Sequence, residues 1–155
     1  MNETLLWLFV INLGVAFGAG LYEHRITVPR WITSSPESGA HWHADIVRSD
    51  DPGRRFWGMV TTLPLTLLTL ANVYAAWQTP DAARNWWIAA CLLAIADRAL
   101  TFGYFIPTMV GLMKASDSST SAAAATRWSR FNYVRHAVVL AAWLASLQAF
   151  RLLGR

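Results

Sequence analysis

The sequence predicts an all-α integral membrane protein: a four-helix bundle with both termini outside and a short interfacial helix in its first cytoplasmic connection. Three observations carry this. Four apolar stretches, at about residues 4–24, 56–77, 86–106 and 128–150, reach the roughly 20 residues that a bilayer crossing requires. Apolar residues make up 55% of the 155 and charged residues only 14%, against roughly 45–50% and 25% in soluble domains. The net charge of +4 comes from basic residues lying between apolar runs, which speaks for membrane topology and against nucleic acid as a partner. Residues 1–155 read as a single membrane domain without internal repeats.

Span 1 follows "MNET", which has no Lys or Arg and carries Glu3. A cleaved signal begins with a basic segment, so span 1 is expected to remain as a helix. Asn12, Ala16, Ala19 and Glu23 share one face of it, and Gly14 and Gly18 allow close helix approach. In the first connection, Ser35 and Pro36 read as N-cap and first position of a short helix, and Asp51-Pro52-Gly53 as its stop. Trp42 and Ile46, four apart, would lie on the membrane surface. Span 2 carries Thr62, Thr66, Thr69 and Asn72 along one face. Span 3 carries Asp97, Thr101, Tyr104 and Thr108, after which Pro107 ends or kinks the helix. The next connection, "KASDSSTSAAAATR", is small, polar and expected to be mobile. Span 4 aligns Asn132, Arg135 and His136 with Val139 and Trp143.

Basic residues set the orientation. Arg25, Arg30, Arg48, Arg54, Arg55, Lys114, Arg127 and Arg130 fall on one side and Arg84, Arg151 and Arg155 on the other. The first side, the richer in basic residues, is cytoplasmic by the positive-inside rule, which places the protein in a bacterial inner membrane. Trp7, Trp77, Trp86 and Trp87 would mark one interface, and Trp31, Trp57 and Trp128 the other.

The remaining charges lie within spans. Asp97 and Arg98 each cost roughly 2.5–3.5 kcal/mol at the bilayer centre. Adjacent helix residues point about 100° apart, so the two are not expected to neutralise each other. At 1.5 Å per residue, Asp97 and Arg135 reach similar depth, which makes them the expected ion pair. Intramembrane ions pair inside the bundle and mark functional sites by default. One pair leaves Glu23, Arg98, Tyr104, Asn132 and His136 in the same half without a structural reason.

"GLYEHRITVPRW" closing span 1, "FGYFIPTMVGLM" closing span 3, and "RWSRFNYVRHAVVLAAWLASLQAF" as span 4 resemble the anthrone oxygenase-like family of small four-helix membrane proteins. The similarity covers nearly the whole chain. It implies oxidation of a lipophilic, enolisable aromatic ketone with O₂ and no cofactor. Such chemistry needs a base, a cation for the enolate oxygen and a dry cavity. His136 is the first choice of base because imidazole titrates near neutrality, and Glu23 the second. Arg135 and Arg98 would stabilise the oxyanion, Tyr104 and Asn132 would orient the substrate, and Trp143 and Phe102 would form aromatic wall.

Other readings compete. His41 and His43 would chelate a metal from a strand, where i and i+2 share a face, but not from the helix expected here. A haem between His24 and His136 requires equal depth, and His24 falls at the end of span 1. No metal site is therefore expected. The lone Cys91 lies in an apolar run, where a thiol ionises poorly. A non-catalytic alternative is a small membrane subunit, scaffold or carrier for a lipophilic molecule. The expected partners are the lipid bilayer, a lipophilic small molecule, and a second copy or another membrane subunit.

Overall fold

The computed structural model describes residues 2–37, 39–79 and 81–153. Arg155, counted above on the outer side, lies outside them. Helix α1 runs through residues 2–31, followed by a hairpin of β1 (Ile32–Ser35) and β2 (Gly39–Trp42). Then come α2 (Ala44–Ser49), α3 over residues 51–77, α4 over residues 81–114 and α5 (Ser119–Leu153). Segments Glu3–Trp31, Gly53–Trp77, Ala82–Lys114 and Ser119–Leu153 are long and apolar enough to cross a membrane.

The helices outrun the predicted spans, mostly on the hairpin side. Much of the supposed mobile linker forms the first turns of α5, since its alanines are strong helix formers. Ser118 caps this start, its Oγ accepting from the Ser121 N–H at 3.1 Å.

The first connection departs furthest from expectation. Ser35 and Pro36 open a turn instead of a helix. The Ser35 Oγ accepts from the Glu37 N–H at 3.3 Å, and Gly39 sits at φ 78°, a region that glycine enters without steric cost. Ile32 then pairs with Trp42 and Thr33 with His41 in antiparallel register. Trp42 is buried, not laid on a membrane surface, and its Nε1 donates to the Leu112 carbonyl at 2.8 Å. The supposed stop is a start: Asp50 caps α3, accepting from the Gly53 N–H at 3.1 Å.

Asp117 pins the hairpin to the α4–α5 connection, accepting from the Trp42 N–H at 3.0 Å and from His41 Nδ1 at 2.9 Å. Those two bonds, the backbone one first, hold its carboxyl below the ordinary carboxylate value. A depressed folded-state value contributes stability above the unfolded pKa, which disappears as pH falls through the folded one. The Trp42 amide should therefore lose hydrogen-exchange protection in acid. Asp117→Asn should lower that protection at neutral pH and remove its acid dependence. An unchanged profile would show that the charge of Asp117 does not pin the hairpin.

Two apolar clusters pack the bundle. One lies away from the hairpin and joins Leu6, Phe9, Leu13, Trp87, Val139 and a run of alanines. Alanine lets helices approach closely, the usual packing in membranes. Asn72 ties three helices there, donating to the Leu5 carbonyl at 3.2 Å and accepting from Trp87 Nε1 at 3.0 Å. The other cluster lies beneath the hairpin and includes Val28, Trp31, Val47, Phe105 and Trp128. Trp31, Trp87 and Trp128 are thus core residues and not interface markers, whereas Trp7, Trp77 and Trp86 are exposed.

Candidate functional site

Three prolines shape the region between the clusters. Pro29, Pro64 and Pro107 each stand two residues after a π-helical turn, at Glu23–Thr27, Trp57–Thr62 and Thr101–Phe105. A proline lacks the N–H and crowds the carbonyl of residue i−4. Widening the preceding turn relieves that crowding without ending the helix, so Pro107 does not terminate α4. Val60 is residue i−4 to Pro64, and its carbonyl accepts instead from Asn12 Nδ2 at 2.9 Å.

The wide turns line a cavity of about 300 Å³. Glu23, Trp57, Gly58, Thr62, Thr101 and Phe105 all belong to π-turns and all face it. Such turns recur at functional sites. Trp31, Trp128 and the methionines Met109 and Met113 complete much of the apolar wall.

Four charged residues line it, Asp50 and Arg54 beside the connection and Glu23 and Arg135 within the bundle, and Trp57 joins the latter two. The indole Nε1 donates to Glu23 Oε1 at 2.6 Å. The Arg135 guanidinium carbon lies 5.2 Å from the centroid of the Trp57 ring and 5.2 Å from that of Phe105. A guanidinium beside two aromatic rings is attracted by both. Arg135 Nε stands 3.4 Å from Asp97 Oδ1, close enough for an ion pair but not aligned as a hydrogen bond. Among the described residues no hydrogen bond engages its terminal Nη nitrogens, which remain donors for an occupant.

Asp97 also bonds Arg98, contrary to the expectation from helix geometry. Arg98 Nε lies 3.1 Å from Asp97 Oδ2, and Nη2 bonds the same oxygen. Cβ directions do diverge by about 100°, but an arginine is long enough to curl back onto its neighbour. Arg98 is therefore buried beside Asp97 and reaches the Thr62 carbonyl at 3.5 Å, and it does not line the cavity.

Of the eight residues assigned above to catalysis or substrate binding, the cavity takes Glu23 and Arg135. His136 lies behind the wall, where its ring occupies the space a Cβ on Gly20 would need, at 2.5 Å from Nε2. It stacks edge-on against His24 with centroids 5.8 Å apart. His24 is thus level with His136, because α1 continues helically to Trp31. Those rings touch, which leaves no room for a porphyrin. Tyr104 packs on Phe105 and Phe131, Phe102 is half exposed, and Asn132 Nδ2 donates to the carbonyl of Trp128 in its own helix at 3.2 Å. Trp143 lies in the other half of the bundle, against Gly14 and Phe17.

The π-turn explains part of this. A widened turn returns positions i+4 and i+5 to the starting face, so Thr101 is followed into the cavity by Phe105 and Ile106, not by Tyr104. Trp57 was missed because an indole near a span end reads as an interface anchor. Among the described residues, no three His, Cys, Asp or Glu side chains converge on a metal-sized site. His41 does occupy a strand, the arrangement in which chelation was considered, but it is bonded to Asp117 and His43 to Thr33 Oγ1, at 2.8 Å.

No family model, curated protein or solved structure matches the chain. Its role is argued from the cavity.

Proposed function

We propose that the protein is a membrane-embedded oxidoreductase of the anthrone-oxygenase type, acting without a cofactor on a lipophilic, enolisable aromatic ketone. The observation that carries this reading is the opposition of the Glu23 carboxylate and the Arg135 guanidinium, joined by Trp57, in a largely apolar cavity whose other charged lining residues are Asp50 and Arg54. Its volume of about 300 Å³ is at the lower end of the roughly 300–1,000 Å³ common for small-molecule sites, enough for a small fused-ring compound.

Glu23 is the base in this scheme, replacing His136. Its Oε1 is held by Trp57, while no hydrogen bond among the described residues engages Oε2. That oxygen takes a benzylic proton from the carbon conjugated to the ketone. The enolate oxygen receives the Arg135 Nη donors, an electrostatic arrangement fixed before the charge develops. The electron-rich enolate gives one electron to O₂. The resulting radical pair combines to a carbon-bound peroxide, which takes back the proton from Glu23. Loss of water then leaves a second carbonyl, so that CH₂ plus O₂ becomes C=O plus H₂O. The protein sits in a bacterial inner membrane with both termini outside and the hairpin in the cytoplasm.

Oxygen uptake by purified protein in nanodiscs supplied with anthrone tests the proposal. Uptake with equimolar quinone formation is expected. Saturable anthrone binding without uptake would favour the carrier or subunit reading.

A further inference from the structure

The two ends of the cavity are closed to different degrees. Toward the hairpin, hydrogen bonds lace the connection to the helix ends. Arg54 Nη1 donates to the Val47 and Arg48 carbonyls at 2.8 and 2.9 Å. Arg48 Nη1 donates to the Met113 carbonyl at 2.6 Å, and Trp42 Nε1 to that of Leu112. Between α3 and α4, hydrogen bonds run from Arg98 to the Thr62 carbonyl at 3.5 Å and from Trp87 to Asn72 at 3.0 Å. These helices pack on each other through Leu63–Trp77 and Asp81–Leu100, and diverge beyond their π-turns.

Gly58, Ile106 and Val110 stand at that divergence. They line the cavity and are also exposed on the outer surface, Ile106 at 41% and Val110 at 46%. Arg54 shares both properties at the hairpin end but is bonded across it to the Val47 and Arg48 carbonyls, so the apolar trio marks the mouth. Gly58 contributes no side chain, and a Cβ built on it would meet nothing within 4 Å. Around the mouth, Met59, Val60 and Leu63 are exposed and apolar, as suits a surface against hydrocarbon.

We infer that the cavity is filled from the bilayer through the slot between α3 and α4 at Gly58, Ile106 and Val110, by a flat lipophilic carbonyl compound entering oxygen-first. This rests on the reading of the cavity as a binding site. Polarity sets the direction: the lip at Gly58, Ile106 and Val110 is apolar, the hairpin end carries Asp50 and Arg54, and Arg135 and Glu23 wait inside. A solute dissolved among lipid chains loses no hydration on crossing such a rim, while a charged solute would have to shed its water there.

Benzophenone, a diaryl ketone that inserts into nearby C–H bonds on irradiation and favours methionine, is a direct probe. Met59, 68% exposed on the outer face, reports probe in the lipid. Met109, in the cavity wall, reports probe that has passed the slot. In nanodiscs, benzophenone should label both, and a sulfonated benzophenone supplied to both faces should leave Met109 unlabelled. Gly58→Phe should abolish labelling of Met109 while that of Met59 persists. Val110→Phe plugs the slot from the opposite lip and serves if the first variant fails to fold. Labelling of Met109 by the sulfonated probe, or its survival in both plugged variants, would overturn the lateral route. Wild-type protein labelled at Met59 alone would instead refute binding in the cavity, and the route with it.

Discussion

Asp97→Asn is expected to destabilise the protein by about 3–5 kcal/mol, the range for removing one partner of a buried pair. The Asp97 side chain is 1% exposed and takes Arg98 from its own helix and Arg135 from α5. Neutralising it leaves two largely buried guanidiniums without their shared carboxylate. Arg135→Gln is milder, because Arg98 still holds the carboxylate. The two changes should couple: once Asp97 is neutral, removing Arg135 relieves a repulsion. The double variant should therefore lose less than the sum of the single ones, a difference of about 0.5–3 kcal/mol for residues in contact. Unfolding in mixed micelles measures all three. Strict additivity would mean that the 3.4 Å approach of Arg135 to Asp97 contributes nothing to the fold.

That coupling also bears on what could be read before the structure. Two simple rules, apolar length and helical rise, were enough to mark four long helices and to bring Asp97 and Arg135 to one depth. Both depend on the helix being a regular rod, and they lose force where it is not. Each proline widens the turn before it, and the residues that turn redirects are the ones facing the cavity. The phase after Thr101 followed Tyr104 and Thr108, whereas Phe105 and Ile106 are what the cavity receives. Depth failed for His24 by the same simplification, since span 1 was ended at residue 24 while α1 continues to Trp31. Ser35-Pro36 illustrates another limit. Serine before proline suits both a helix start and a turn, and only Gly39 at positive φ, with strand pairing behind it, decides between them. Burial of Trp31 and Trp128 followed from the hairpin covering that end, a tertiary fact invisible to composition.

The sharpest functional consequence separates two candidate bases. Glu23→Gln is expected to lower anthrone-dependent O₂ uptake by about 10²–10⁴-fold, the usual contribution of general acid–base catalysis. The amide keeps an oxygen for the Trp57 N–H, so the bond at 2.6 Å has a successor and the protein should fold. Quenching of tryptophan fluorescence should still report anthrone binding, because Trp31, Trp57 and Trp128 line the cavity. His136→Gln, behind the wall beside Gly20 and His24, should leave the rate within a few-fold. Arg135→Lys separates base from electrostatic stabiliser. It keeps a positive charge but loses the planar fork and the stacking between Trp57 and Phe105, so turnover should fall with proton abstraction still possible. In that variant, exchange of the benzylic hydrogens with deuterated solvent should continue under argon, whereas in Glu23→Gln it should stop. Loss of exchange in His136→Gln with retention in Glu23→Gln would return the base to the imidazole, and the opposition of Glu23 and Arg135 would then be structural only.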